Sequence, residues 1–143
     1  MQSWPPGVIV EAVFFLKDKV GRVLCYGVVG VDNLIQVKAY PESNGHAQVL
    51  RDELQMGGEA VNTAVRLSQL DIPVTLMGNP VGSDDSGRHF LDQIARHRVD
   101  CRIAVREGVT GRAYVVSDAN DTRTIFGAFG NLKGPVVPEE VWI

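Results

Sequence analysis

Between residues 59 and 95 the hydrophobic pattern changes from helical to extended and back again, which narrows the possible folds sharply. Over residues 59–70, apolar and small residues recur at i, i+3, i+4 and i+7, the spacing of a helix with one buried face. Residues 74–78, VTLMG, form a short apolar run typical of a strand buried on both faces. A second helical pattern follows, with Phe90 and Ile94 on one face. This alternation predicts a βαβ unit in a parallel sheet, and therefore an α/β fold.

The segments on either side of this unit are predicted to be strands. Residues 22–29, RVLCYGVV, are almost continuously apolar and fit another buried strand. Two half-polar extended stretches follow, joined by a turn at residues 41–45, and they suit strands with one face in solvent. Further on, residues 112–118 and 122–129 flank the sequence AND, which predicts a β-hairpin.

Size and charge exclude several classes of partner. A chain of 143 residues with 45% apolar content fits one domain with its own core. The net charge of -3, with both signs scattered, offers no basic stripe for nucleic acid and no polybasic anchor for a membrane. The apolar segment at residues 8–16 is too short to span a bilayer and contains Glu11, so it predicts an extra strand or short helix. Cys25 and Cys101 form no pair or metal-ligand pattern, and the protein is expected to be cytoplasmic.

The sequence MGGEAVNTA at residues 56–64 is a candidate ligand site. Gly57 and Gly58 precede the first predicted helix, where they let the backbone approach a ligand and leave first-turn N–H groups free to bind it. Asn62 adds an amide that both donates and accepts, which suits the hydroxyls of a polyol. Alternatively, the glycines only release the chain from a strand and Asn62 is a solvated helix residue.

Asp32 is the second candidate. It follows the first buried strand, at the edge where open α/β sheets bind ligands. A carboxylate there can accept hydrogen bonds from two adjacent hydroxyls. Alternatively, Asp32 and Asn33 cap a turn.

Motifs for other chemistries are missing or wrongly spaced. The glycines of GNPVGSDDSG, residues 78–87, do not have the GxGxxG spacing, which disfavours an NAD-dependent oxidoreductase. The sequence contains no phosphate loop and no GxSxG elbow, and its three histidines have no partners at catalytic or metal-ligand spacing. No catalytic, cofactor-binding or metal-binding residue is therefore assigned.

Taken in order, four segments resemble the N-terminal half of the PfkB family of carbohydrate kinases, which have the ribokinase-like fold. VLCYGVVGVDNLIQV is similar to the family's first strand and substrate aspartate, and MGGEAVNTAVRLSQL to its GG-x-x-x-N-x-A signature. VTLMGNPVGSDDSGRHFLDQIARHRVD is similar to the next strand, Gly-Asp loop and helix. TGRAYVVSDANDTRTIFGAFGNL is similar to the strands and loop that follow.

The resemblance implies a partial three-layer α/β sandwich with a small β-sheet lid, forming a single incomplete domain over residues 1–143. The lid would come from residues 34–56 and 103–117, and a homodimer would form through the lid or an exposed sheet edge. A sugar or nucleoside would be held beneath the lid. The implied substrate-binding residues are Asp32 and Asn62 by side chain, Gly57 and Gly58 by backbone, and, ranked lower, Glu59.

The second half of the family's pattern has no counterpart in this sequence. The family implies Mg-ATP, but no Gly-Ala-Gly-Asp motif occurs, and GSDD at residues 82–85 corresponds to an earlier family loop. The end of the chain, PVVPEEVWI, starts a predicted helix and indicates truncation. We therefore expect the substrate-binding and lid half of an ATP-dependent sugar or nucleoside kinase, without catalysis by itself. The alternative is a non-catalytic polyol-binding or dimerisation module.

Overall fold

Three sheets and two helices make up residues 21–120 and 122–130, the part of the chain that the computed structural model describes. The predicted segments at residues 8–16 and at the end of the chain lie outside the described residues. In chain order the elements are β1 Val23–Gly27, β2 Gly30–Val37, β3 Val49–Gly57, α1 Glu59–Gln69, β4 Val74–Gly78, β5 Val81–Gly82, α2 Asp85–Ile94, β6 Asp100–Cys101, β7 Val105–Arg106, β8 Arg112–Ser117 and β9 Arg123–Ala128.

The elements β1, α1, β4, β5, α2 and β6 are called the layered part below, and the core lies on their parallel sheet. The strand order of this sheet is β1-β4-β6, and β1 and β4 pair in parallel along their whole length. Helix α1 packs on this sheet through Val61 and Ala64, which are fully buried against residues such as Leu76 of β4. The predicted βαβ unit is confirmed, because the apolar stripe of α1 covers the sheet as its spacing required.

The second sheet has four strands in the order β3-β2-β8-β9. β2 pairs antiparallel with β3 and parallel with β8, and β8 and β9 form the predicted hairpin. One face of this sheet packs on α2 and the core, to which Val31, Leu54 and Met56 contribute. The strands extend beyond this contact, and every residue of β9 is exposed.

The four-stranded sheet differs in extent from the predicted lid segments. It begins at Gly30 and includes β9, whereas β7, which lies inside the predicted segment 103–117, pairs with β5 in a separate two-stranded sheet. A lid role for the sheet stays a prediction.

Thr110 joins the layered part to the start of β8. It is 2% exposed, and its hydroxyl donates to Asp84 Oδ1 at 2.6 Å while accepting from the N–H of Gly82 at 2.8 Å. Its backbone N–H donates to Asp84 Oδ2 at 3.1 Å. Asp84 also caps α2, because its Oδ1 accepts the N–H of Gly87 at 2.9 Å. The next residue, Gly111, accepts the N–H of Val31 at 3.1 Å, so this network fixes where β8 meets β2.

Candidate functional site

A cavity of about 690 Å³ lies where the parallel strands β1 and β4 end and the four-stranded sheet begins. Its walls come from the loop after β1, from the Gly57–Gly58 pair, from Asn79 and from β8 and β9. The carboxyl edge of a parallel sheet is where open α/β folds bind ligands, as the sequence analysis expected for Asp32.

Asp32 lies within β2, opposite Gln55 of β3 and Ala113 of β8, so it does not cap a turn. Its half-buried side chain faces the cavity, and a side chain at Gly57 would overlap its carboxyl group. Among residues 21–120 and 122–130, none donates a hydrogen bond to this carboxylate. Burial raises the pKa of Asp32 because it disfavours the charged form.

Glycine is needed at position 58 for a different structural reason. It is the N-cap of α1 with φ of 109°, a conformation that favours glycine, and a side chain there would overlap the carbonyl oxygen of Val28. No side chain caps α1, so its first-turn N–H groups are not taken by a capping residue. Gly57 thus makes room for Asp32, and Gly58 makes the backbone turn into the helix.

Asn62 and Glu59 lie apart from the cavity wall. Both are exposed on the first turn of α1, and the N–H of Asn62 donates to the carbonyl of Gly58 at 3.0 Å as an ordinary helical bond. The structure therefore brings Asp32, Gly57 and Gly58 together around the cavity. Substrate binding stays a prediction for all five residues, for Asn62 and Glu59 as well as for the three that line the cavity.

Asn79 is a site residue that the sequence analysis missed. Its Oδ1 accepts the N–H of Val29 at 2.8 Å, and its Nδ2 donates to the carbonyl of Val29 at 2.9 Å. This reciprocal pair holds the loop after β1 against the end of β4. An amide directly after a buried parallel strand was the available signal, because such a side chain can reach the end of the neighbouring strand.

The absence of Mg-ATP-binding residues from this chain stays a prediction. The part of the chain that the structure describes contains no group of three or more His, Cys, Asp or Glu side chains that could hold a metal ion. The start of α2, which could otherwise attract a phosphate, already holds the carboxylate of Asp84. Within the same described ranges, neither helix is long and apolar enough to cross a bilayer.

Comparisons with known proteins agree with this fold. The profile of the pfkB family carbohydrate kinases matches residues 22–140. A nucleoside kinase of Methanocaldococcus jannaschii is 25% identical over 122 residues, which cover 82% of this chain and 39% of that protein.

Two solved structures share the fold. The ribokinase of Giardia lamblia has a TM-score of 0.69 and 18% identity, and the match covers 76% of this chain and 34% of that one. The ribokinase of Cryptococcus neoformans, in complex with ADP, has a TM-score of 0.66 and 21% identity, covering 78% and 34%. The chain spans about two fifths of the curated nucleoside kinase, 39% of its length. Because the family profile matches most of the sequence, this chain belongs to the pfkB family of carbohydrate kinases.

Proposed function

We propose that this chain is the substrate-binding half of an ATP-dependent sugar or nucleoside kinase, in which Asp32 accepts hydrogen bonds from substrate hydroxyls. The observation that carries the proposal is the setting of Asp32. Gly57 leaves space for its carboxyl group, and no residue in the described ranges donates a hydrogen bond to it.

The charged form of Asp32 destabilises the ligand-free chain. Partial burial removes water from it, and the residues that the structure describes supply no donor in exchange, so its charged form is disfavoured. Two adjacent hydroxyls of a polyol would supply the missing donors, and hydrogen bonds to a charged acceptor are the stronger kind. The relative from M. jannaschii is named a nucleoside kinase, which agrees with a polyol ligand.

The remaining site assignments extend this proposal. Asn62 and Glu59, exposed on the first turn of α1, would reach the substrate from the open side of the cavity. The four-stranded sheet would act as the lid. A homodimer would form through that lid or an open sheet edge, a proposal supported by exposed apolar residues on its strands such as Leu50 and Phe126.

Phosphoryl transfer depends on positioning and neutralising the nucleotide phosphates. The sequence contains no Gly-Ala-Gly-Asp motif, and the described residues hold no cluster that could bind a metal ion, so we infer that the 143-residue chain binds substrate without turning it over. Sugar-dependent or nucleoside-dependent ADP release by this chain, above background in a coupled assay, would contradict that inference. The alternative is a non-catalytic polyol-binding or dimerisation module, which would keep the cavity beside Asp32 and do no chemistry.

Isothermal calorimetry against sugars and nucleosides tests the binding proposal. We expect at least one polyol to bind and Asp32→Ala to abolish its heat. Asp52→Ala is the matched control, because Asp52 lies on the opposite face of the same sheet, with Ile35 as its cross-strand partner. Equal binding by the Asp32 and Asp52 variants would overturn the assignment. Sedimentation of a stable monomer at all concentrations would overturn the homodimer.

A further inference from the structure

A row of residues crosses the four-stranded sheet from Asp32 to Gly127. Asp32 is the register partner of Ala113, and Ala113 is the partner of Gly127. Directly paired residues lie on the same face, so all three face the cavity that they line. With strands about 4.8 Å apart, Gly127 lies about 10 Å from Asp32. This row, called the channel below, has the carboxylate of Asp32 at one end and no side chain at the other, at Gly127.

Phe129 lies over the far end of this channel. A Cβ atom on Gly127 would come within 3.0 Å of the Phe129 Cζ atom, so the ring lies against the backbone of Gly127 in place of a side chain. Phe129 as a whole residue is 89% exposed, which is unusual for an aromatic residue on a cavity wall. Ile125, two residues before Gly127 on the same face, adds a second exposed apolar side chain beside it.

The charged side chains on the cavity wall also indicate which ligand charges the cavity would accept. Among the described residues that line the cavity, Arg112 is the one cation, and its guanidinium donates to Ser86 of α2 and lies 5.9 Å from the Tyr114 ring. Ser86 and Tyr114 belong to the opposite side of the sheet from Asp32. A phosphate or carboxylate on the ligand would thus meet an acidic residue and no free cation.

We propose that the cavity selects a nucleoside over a simple sugar, with the ribose hydroxyls on Asp32 and the base stacked on Phe129. The inference rests on the proposed function, because it assigns Asp32 the same hydroxyls. In a nucleoside, the vicinal hydroxyls and the planar base project from different positions of one ring, which matches an acceptor and an aromatic platform at the two ends of a channel. The volume of about 690 Å³ falls within the range of roughly 300–1,000 Å³ that holds drug-sized ligands, which are larger than a pentose.

Calorimetry of the 143-residue chain with adenosine and with D-ribose tests the proposal. We expect adenosine to bind at least tenfold more tightly than D-ribose. Phe129→Ala should weaken adenosine binding about tenfold or more, the effect of removing one aromatic stacking partner, and leave ribose binding unchanged. Phe129→Tyr should restore adenosine binding.

Phe126→Ala is the matched control. Phe126 is an aromatic residue of the same hairpin, 50% exposed, but it pairs with Tyr114 on the other face of the sheet. We expect it to bind adenosine as the wild type does.

Several results would overturn the proposal. Equal affinities for adenosine and ribose, or equal losses in the Phe129 and Phe126 variants, would remove the base platform and leave the Asp32 polyol site intact. No binding of either ligand by the wild type would overturn the proposed function as well. If Phe129→Ala dissociates an oligomer in sedimentation and leaves adenosine affinity unchanged, the ring belongs to a subunit contact.

Discussion

Two aspartates, Asp84 and Asp32, lie at the junction between the layered part and the four-stranded sheet, in opposite surroundings. Asp84 accepts hydrogen bonds from the side chain and N–H of Thr110 and from the N–H of Gly87. Asp32 has a space kept open by Gly57, and no donor among the residues that the structure describes. The carboxylate of Asp84 is occupied by hydrogen bonds within the fold, whereas that of Asp32 is left available to a ligand.

The pKa values of the two groups follow this difference. Burial acts to raise the pKa of Asp84, but the hydrogen bonds from Thr110 and Gly87 outweigh it and lower the pKa below its ordinary value. Burial acts unopposed on Asp32 and raises its pKa. The structural carboxylate thus differs from the candidate ligand-binding carboxylate in the hydrogen-bond donors that surround it.

The largest expected effect comes from removing the satisfied carboxylate. Asp84→Ala deletes the cap of α2 and leaves the buried N–H of Thr110 without an acceptor. We expect the free energy of unfolding, measured with urea, to fall by about 2–3 kcal/mol.

Asp85→Ala is the control for that change. Asp85 is the next residue, and its exposed carboxylate pairs only with Arg88 in the described contacts. Its loss should change stability by no more than about 0.5 kcal/mol. Equal effects of the Asp84 and Asp85 variants would show that Asp84 is not a structural anchor.

A smaller effect is expected when the space around Asp32 is filled. Gly57→Ala places a methyl group where the carboxyl group lies, and the side chain must rotate away. We expect a loss of about 1 kcal/mol in stability and a more than tenfold loss of polyol affinity by calorimetry. Gly21→Ala is the control, because an added Cβ there has no neighbour within 4 Å and Gly21 is not among the described residues that line the cavity. An unchanged affinity in the Gly57 variant would contradict the role assigned to the glycine.

The smallest effect is a difference in the sign of pH dependence. Asp32 has a raised pKa, so its ionisation destabilises the folded chain as pH rises through the window above the unfolded value of about 4. Asp32→Asn should therefore raise Tm at pH 7, by about 1 °C, and have no such effect near pH 3. Asp84 has a lowered pKa, so Asp84→Asn should lower Tm at pH 7, with the difference shrinking as the pH falls below about 4. Thermal unfolding of both variants with the same pH dependence would contradict the comparison.

The sequence predicted the layered part well. The spacing of Val61 and Ala64 fixed the buried face of α1, and the apolar run at residues 74–78 gave β4 its exact limits, because both patterns are local. Asp32 and the glycine pair were singled out as a ligand site from their position beside a strand end, and they line the same cavity.

The register across the four-stranded sheet could not be predicted. Asp32 pairs with Ala113, and a parallel pairing between segments so distant in sequence depends on tertiary contacts. The channel and its aromatic end at Phe129 follow from that register. Asn79 was missed for a related reason, since its partner, Val29, belongs to a neighbouring strand end.

A carbon-13 NMR titration of the two carboxylates tests whether substrate hydroxyls donate to Asp32. In the free chain the pKa of Asp32 should lie above its ordinary value and that of Asp84 below it. Saturation with adenosine, or with D-ribose as a second probe, should lower the pKa of Asp32, because new donors favour the charged form, and leave Asp84 unchanged. A titration of Asp32 that neither ligand alters would contradict the account.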